Sequence, residues 1–345
     1  MISDTDLAYI RKRLKEAVRP LFFFDDDADG LSSFLQLYAL VKEGKGVVVK
    51  GKPVLEARYA RKVEEYCPDL VVILDKPLVE DEFFDKVRQD IIWLDHHPVP
   101  SNFRRAKYFN PRIQDSEDGR PTSFWCYLIV KNDVVDVLWK AMFGVVGDWH
   151  LLLEDECREK YPYLLPENIK SPEDALFKTD LGKLVKIINW NLKGSTSDVM
   201  KSVKVLTRIN DPYDILDQKT SKGKLIFKKF EKLDSSYNDL ISRVKPGKDK
   251  ILYFCYDDSS IAISSELSNE LLFLYPSKVI IVARSVGGDL RMSIRSKGIN
   301  VAGIVEKAVQ ITGGHGGGHD NACGANIPED RLEDFLSVFR DALKQ

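Results

Sequence analysis

Four aspartates fall within five residues in Asp25-Asp26-Asp27-Ala28-Asp29, directly after the apolar run Leu21 to Phe24 and directly before Gly30 and a helical pattern. Carboxylates at that spacing repel one another, so the loop is costly unless a cation neutralises it. The plainer alternative is a solvated acidic turn with one Asp capping the following helix. Two further apolar runs end the same way: Leu70 to Leu74 leads into Asp75, and Ile91 to Leu94 leads into Asp95-His96-His97. The helical pattern ending in Val146 is followed by Gly147, Asp148, Trp149 and His150. Singly, Asp75 reads equally well as a strand-end turn residue and Asp148 as a cap. Together, Asp and His offer oxygen and nitrogen ligands suited to Mn²⁺ and related ions, and a pair of such ions can activate water and polarise a phosphoryl group. The chain has five histidines, and all lie in these clusters or in one other: His96, His97, His150, His315 and His319.

That other cluster runs from Gly313 through His315, Gly316, Gly317, Gly318 and His319 to Gly324. Read as a Gly-rich loop, it lets successive backbone N–H groups approach an anion, with an imidazole beside them. The three glycines between the histidines disfavour the helix that would place both on one metal, so phosphate binding is preferred to zinc. Arg291 and Arg295, two turns of the pleat apart on one candidate strand, suit bidentate phosphate contacts; exposed alternate positions on a sheet are the other reading. Six lysines, Lys219, Lys222, Lys224, Lys228, Lys229 and Lys232, stand against the single acid Glu231. Such a run can track a nucleic-acid backbone, though a solvated helix face is the commoner outcome. Trp93, Trp125 and Trp139 sit in apolar contexts that suit a core better than base stacking.

The elements that must position these residues follow from periodicity. Non-alternating apolar runs at 21–24, 46–50, 70–74 and 91–94 suit strands of a parallel sheet buried on both faces, and helical patterns separate them. Residues 122–245 read as mainly helical. From Ile251, strands are expected at 251–256, 261–264, 278–284 and 290–296, with a hairpin turn at Gly287-Gly288-Asp289 and helices over 300–310 and 329–344. The chain has 345 residues, 44% hydrophobic and 30% charged, enough for two domains with their own cores. Its 51 Lys and Arg against 53 Asp and Glu leave a net charge of −2, which excludes a polybasic protein and leaves nucleic acid only a local site. No apolar run is long enough to span a bilayer, residues 1–18 form an amphipathic charged helix, and a cytoplasmic protein is expected. Five dispersed cysteines without a CxxC pair argue for reduced thiols.

Taken in this order, the motifs resemble the DHH phosphoesterase superfamily, in the branch with a C-terminal DHHA1 domain that includes RecJ-like exonucleases and oligoribonucleases. Asp25-x-Asp27-Ala28-Asp29-Gly30 is similar to its first motif, Asp75 to the second, Asp95-His96-His97 to the third and Gly147-Asp148 to the fourth. Gly317-Gly318-His319 through Gly324 is similar to the DHHA1 signature. The resemblance implies an α/β fold: an N-terminal DHH domain with a mainly parallel sheet flanked by helices (1–150), a helical extension and linker (151–247) and a smaller α/β DHHA1-like domain (248–345). It further implies two divalent ions, Mn²⁺ before Mg²⁺ or Co²⁺. Asp25 and Asp27 would hold one and Asp29, His96 and Asp148 the other, with Asp75 bridging. His97 would face the scissile phosphate, Asp95 would orient the histidines, and His319 and Arg295, with Gly317, Gly318 and Arg291 nearby, would grip substrate across an interdomain cleft. Two departures, Lys76-Pro77 after Asp75 and Asn321-Ala322-Cys323 in the Gly-rich segment, are expected to touch no ligand.

The expectation is therefore two-metal hydrolysis of a phosphodiester, with single-stranded DNA or RNA or a short oligonucleotide as substrate. A phosphodiesterase for dinucleotides, cyclic dinucleotides or very short RNA is the alternative within enzymes. A non-catalytic RecJ-like partner in replication or repair is the alternative outside them, and replication or repair partners and self-association remain open beside catalysis. A scaffold that had lost its metals would be expected to lack ligands, whereas every position here keeps Asp or His.

Overall fold

The computed structural model describes residues 1–257 and 262–344, and the chain divides into two compact units, Met1–Glu231 and Lys232–Gln345. In the first, strands β1 (Pro20–Asp25), β2 (Lys45–Val49), β4 (Leu70–Leu74), β6 (Asp90–Leu94) and β7 (Lys107–Phe109) form a parallel sheet in the order β2-β1-β4-β6-β7. The short strands β3 (Val54–Leu55) and β5 (Leu78–Val79) pair separately.

Both faces of this sheet are covered, which is why its strands are apolar at every position rather than alternating. Leu21, Phe23, Val71, Ile73 and Trp93 pack on one face with Phe83 and Phe84 of the helix Asp81–Lys86. Phe22 and Phe24 pack on Phe34 of the helix Ala28–Val41, with Phe24 and Phe34 stacked at 4.7 Å. That helix starts directly at the end of β1, its N-cap Asp27 accepting a hydrogen bond from the Gly30 N–H at 2.9 Å. A Cβ at Gly30 would sit 2.7–2.9 Å from the Asp25 backbone, so only glycine lets the helix turn back this closely on the strand.

The helices Thr122–Val130 and Leu138–Gly147 pack against Ala28–Val41, and the chain from 151 to 231 is helical wherever it is regular. Trp93, Trp125 and Trp139 are buried core residues. The lysine-rich run lies at the start of the helix Ser221–Arg243, where Lys222 donates to the Arg208 carbonyl and Lys229 to that of Asn191. All five cysteines are free thiols. Among the described residues no helix is long and apolar enough to cross a membrane.

In the second unit, β8 (Ile251–Tyr256), β9 (Val279–Val286), β10 (Asp289–Arg295), β11 (His315–His319) and β12 (Ala322–Pro328) form a mixed sheet in the order β11-β12-β10-β9-β8. Only β8 and β9 are parallel. Gly287 and Gly288 close the β9–β10 hairpin at φ +63 and +87°, as a turn with both central residues left-handed requires. Val305, Ala308, Phe335 and Phe339 of the helices Ala302–Thr312 and Leu332–Ala342 bury one face of the sheet.

Two expectations for this unit are corrected. No strand forms at 262–264: Ile263 caps the helix Ser264–Leu274, and Ile261 lies outside the described residues. Leu267 and Leu271 bury there at helical spacing, and this longer period outweighs the short strand-like pattern of 261–264. The Gly-rich segment is not a loop either. Residues 315–319 form the edge strand β11, paired along its length with β12 and turning at Asp320-Asn321.

Candidate metal centre

In the first unit, β1 has β2 on one side and β4 on the other, so successive crossovers leave it in opposite directions. Such a switch point opens a crevice at the carboxyl ends of parallel strands. Asp25 ends β1, Asp75 follows β4, and Asp95-His96-His97 follows β6, so all meet at that edge. Asp27 and Asp29 arrive on the first turn of the helix Ala28–Val41. Asp148 arrives as the C-cap of Leu138–Gly147, which approaches so closely that a Cβ on Gly147 would lie 2.6 Å from that of Ala28.

Three sets of donor atoms converge to within 4.8 Å of one another: Asp25, Asp27 and Asp75; Asp29, His96 and Asp148; and Asp75, His96 and His97. His96 Nε2 lies 3.4 Å from Asp75 Oδ1 and 4.0 Å from Asp29 Oδ2, while its Nδ1 meets the Gly119 carbonyl at 3.1 Å. Asp29 accepts the backbone N–H groups of Thr122 and Ser123, at 2.8 and 2.9 Å, from the N-terminus of the helix they begin. Asp75 adopts a left-handed backbone, φ +56°, which a non-glycine residue takes only where its surroundings hold it there. Thr122 Oγ1 donates to its Oδ1 at 3.3 Å.

These carboxyls are expensive as anions. Burial, with Asp27 adding repulsion, pushes Asp25 up to about 7, against the pull of Lys76. Asp27 keeps contact with solvent, yet the protein packed round it and the Asp29 carboxylate push it up to about 6. Burial and neighbouring carboxylates also raise Asp29 and lift Asp75 well above the usual carboxylate range. Five crowded carboxylates, four of them unfavourable as bare anions, and an imidazole at the carboxyl ends of parallel strands are a donor set that fits hard or borderline divalent ions.

Asp95 is wholly buried, and the other histidine is its partner: it accepts from His97 Nδ1 at 2.8 Å and from the Tyr108 hydroxyl at 3.1 Å, with Asn110 Nδ2 at 3.3 Å. His96 is oriented by Gly119 instead. Burial lowers the His97 imidazole, but the hydrogen bond and charge of Asp95 outweigh it and raise the group on balance. His150 meets the Asp148 carbonyl at 2.7 Å.

In the second unit, Arg295 pairs with Ala322, which pairs with His319, so the three share one row and one face across β10, β12 and β11. Asn269 Oδ1 and Ser265 Oγ, at 2.8 and 2.9 Å, fix the Arg295 guanidinium. Arg291 lies in a separate row, with Asn326 and His315. Gly317 and Gly318 pair with Gly324 and Cys323, and His319 is exposed.

Sequence reasoning missed Ser123 and Gly119, which lend backbone groups that carry no side-chain signal, and Thr122, which lends a backbone N–H to Asp29 and its hydroxyl to Asp75. It also misjudged Lys76, which does touch a candidate ligand: its Nζ lies 3.0 Å from Asp25 Oδ1.

A sequence model of the DHHA1 domain matches residues 248–345. The structure of RecJ in complex with Mn²⁺ from Thermus thermophilus overlays on 97% of this chain, with a TM-score of 0.66 and 14% identity. The chain has the DHH/DHHA1 fold. It covers 54% of that RecJ, about half its length. The DHH/DHHA1 fold is shared with CDC45 from Entamoeba histolytica, at TM-score 0.54, 11% identity and 99% coverage of both chains. It is also shared with PggH, a pGpG-specific phosphodiesterase from Vibrio cholerae, at TM-score 0.53, 13% identity and coverage of 94% of this chain and 99% of PggH. No curated protein matches the chain in sequence.

Proposed function

We infer that the chain is a divalent-metal-dependent phosphodiesterase, a RecJ-like exonuclease acting on single-stranded DNA or RNA. The observation that carries this reading is the convergence of Asp25, Asp27, Asp29, Asp75, His96 and Asp148 at the switch point of a parallel sheet, where burial and mutual repulsion disfavour the ionised forms of Asp25, Asp27, Asp29 and Asp75 without a cation. In this reading Asp25 and Asp27 hold one ion, Asp29, His96 and Asp148 the other, and Asp75 serves both. Mn²⁺ is the ion we assign first, with Mg²⁺ and Co²⁺ as substitutes. Two such ions supply Lewis acidity to the phosphoryl oxygens and an activated water at neutral pH.

The chain's own groups supply the rest. Thr122 and Ser123 fix Asp29, and Thr122 steadies Asp75, so the donors need little rearrangement when they bind. Asp95 takes the Nδ1–H of His97, which leaves Nε2 to hold or deliver a proton at a phosphate or leaving oxygen. In the second unit, Arg295 and His319 with the glycine backbone at Gly317 and Gly318 bind substrate phosphate, and Arg291 contributes more distantly.

The test is Mn²⁺-dependent cleavage of an end-labelled single-stranded oligonucleotide, with Asp75→Ala as control and products resolved to single nucleotides. A ladder that the variant loses by about a thousandfold or more is expected; ordinary turnover by Asp75→Ala would remove Asp75 from its bridging role. A second reading rests on the likeness to PggH, which the chain matches over nearly its full length. A phosphodiesterase for dinucleotides would split them while leaving the long strand intact. A non-catalytic partner, as the CDC45 likeness suggests, would do neither.

A further inference from the structure

Lys76 directly follows Asp75 and is completely buried, although lysine is seldom buried unless paired. Its Nζ lies 3.0 Å from Asp25 Oδ1 and donates to the Lys52 carbonyl at 2.8 Å. Trp93 Nε1 donates to the Lys76 carbonyl at 2.8 Å, which pins the backbone as well. Asp25 Oδ1 also accepts the Asp26 N–H, at 2.7 Å, so that oxygen is already engaged twice. The set Asp25, Asp27 and Asp75 thus contains a fixed positive charge seated on one of its donors. The set Asp29, His96 and Asp148 has an imidazole donor and an Asp29 carboxylate oriented by two backbone N–H groups, and among the described residues no lysine or arginine pairs with its carboxylates.

We propose that Lys76 is a built-in cation that makes the two ion positions of this protein unequal. The position at Asp29, His96 and Asp148 takes Mn²⁺ tightly. The position at Asp25, Asp27 and Asp75 takes it at least tenfold more weakly, because an ion there must share Asp25 with an ammonium that repels it. In the metal-free protein the same ammonium offsets part of the repulsion among the three carboxylates. At low Mn²⁺ the protein would therefore be singly loaded. This rests on the metal-centre reading given under Proposed function.

Calorimetric titration of the chelator-treated full chain with Mn²⁺ tests it. The wild type should show two events of one ion each, separated by at least tenfold in affinity. Asp148→Asn should remove the tight event and Asp25→Asn the weak one. Lys76→Met keeps the length and apolar stem of the side chain without its charge, and should tighten the weak event by tenfold or more. One event of two equivalent ions in the wild type would overturn the proposal, as would an unchanged gap in a folded Lys76→Met. If Lys76→Met does not fold, Lys76→Gln, which keeps a donor for the Lys52 carbonyl without the charge, takes its place, with the same narrowing expected and an unchanged gap overturning the proposal. Absence of any Mn²⁺ binding by the wild type is a different failure, because it removes the metal centre itself and this inference with it.

Discussion

His97 and His319 are expected to fail in different ways when removed. His97 is locked by the buried Asp95, which its ring meets through Nδ1 at 2.8 Å, so a proton at Nε2 is aimed rather than merely present. His97→Ala should lower kcat by about a hundredfold to ten-thousandfold while Mn²⁺ binding survives. His319 sits exposed on an edge strand and has no part in the carboxylate cluster. His319→Ala should raise KM about tenfold with kcat nearly unchanged, the signature of lost uniform binding. Steady-state kinetics on one oligonucleotide separates the two; equal loss of kcat in both variants would contradict the assignment. At this scale the candidate ligands that the structure brings together were legible because the acidic and histidine clusters follow apolar runs. Lys76 was not, because a lysine beside an aspartate reads as surface, and its partner Asp25 is 51 residues away.

At the scale of elements, the site depends on how tightly the helix Ala28–Val41 turns back on β1. Gly30→Ala would set a methyl group 2.7–2.9 Å from the Asp25 backbone, so strand and helix must part. A loss of about 1–3 kcal/mol is expected from overpacking of this kind. Because Asp27 and Asp29 ride on the same helix turn, Mn²⁺ affinity should fall with stability; denaturant unfolding and metal titration of the variant check both. The buried strands were readable from residues such as Phe22 to Phe24, apolar on both faces. Their order was not, since nothing local in Leu70 to Leu74 says that it pairs with β1 on the side opposite β2. The helix Ser264–Leu274 escaped notice because Ile261 to Ser264 alternates like a strand, while the burial of Leu267 and Leu271 that decides the matter is tertiary. The strand at His315–His319 was hidden by glycine, which carries no side-chain pattern to read.

For the whole molecule, the crowded carboxyls tie stability to pH and to metal. Folding raises Asp25 to about 7 and Asp27 to about 6 from an ordinary 3.8, so the folded state holds these protons more firmly than the unfolded chain. Their contribution is fully present below about pH 4 and is lost as pH rises towards 6 and 7. The chelated protein should therefore lose Tm between pH 4 and 7, and Mn²⁺ added at pH 7.5 should restore it. Asp27→Asn, which can still cap the helix, should flatten the lower part of that decline; a parallel profile for wild type and variant would contradict the assigned shift. The bonds from Thr122 and Ser123 to Asp29 span 93 and 94 residues of chain. Contacts closing so large a loop form late, after local helices have condensed. In stopped-flow refolding, far-ultraviolet ellipticity should thus recover before the capacity to bind Mn²⁺, and a newly synthesised chain would acquire its chemistry last.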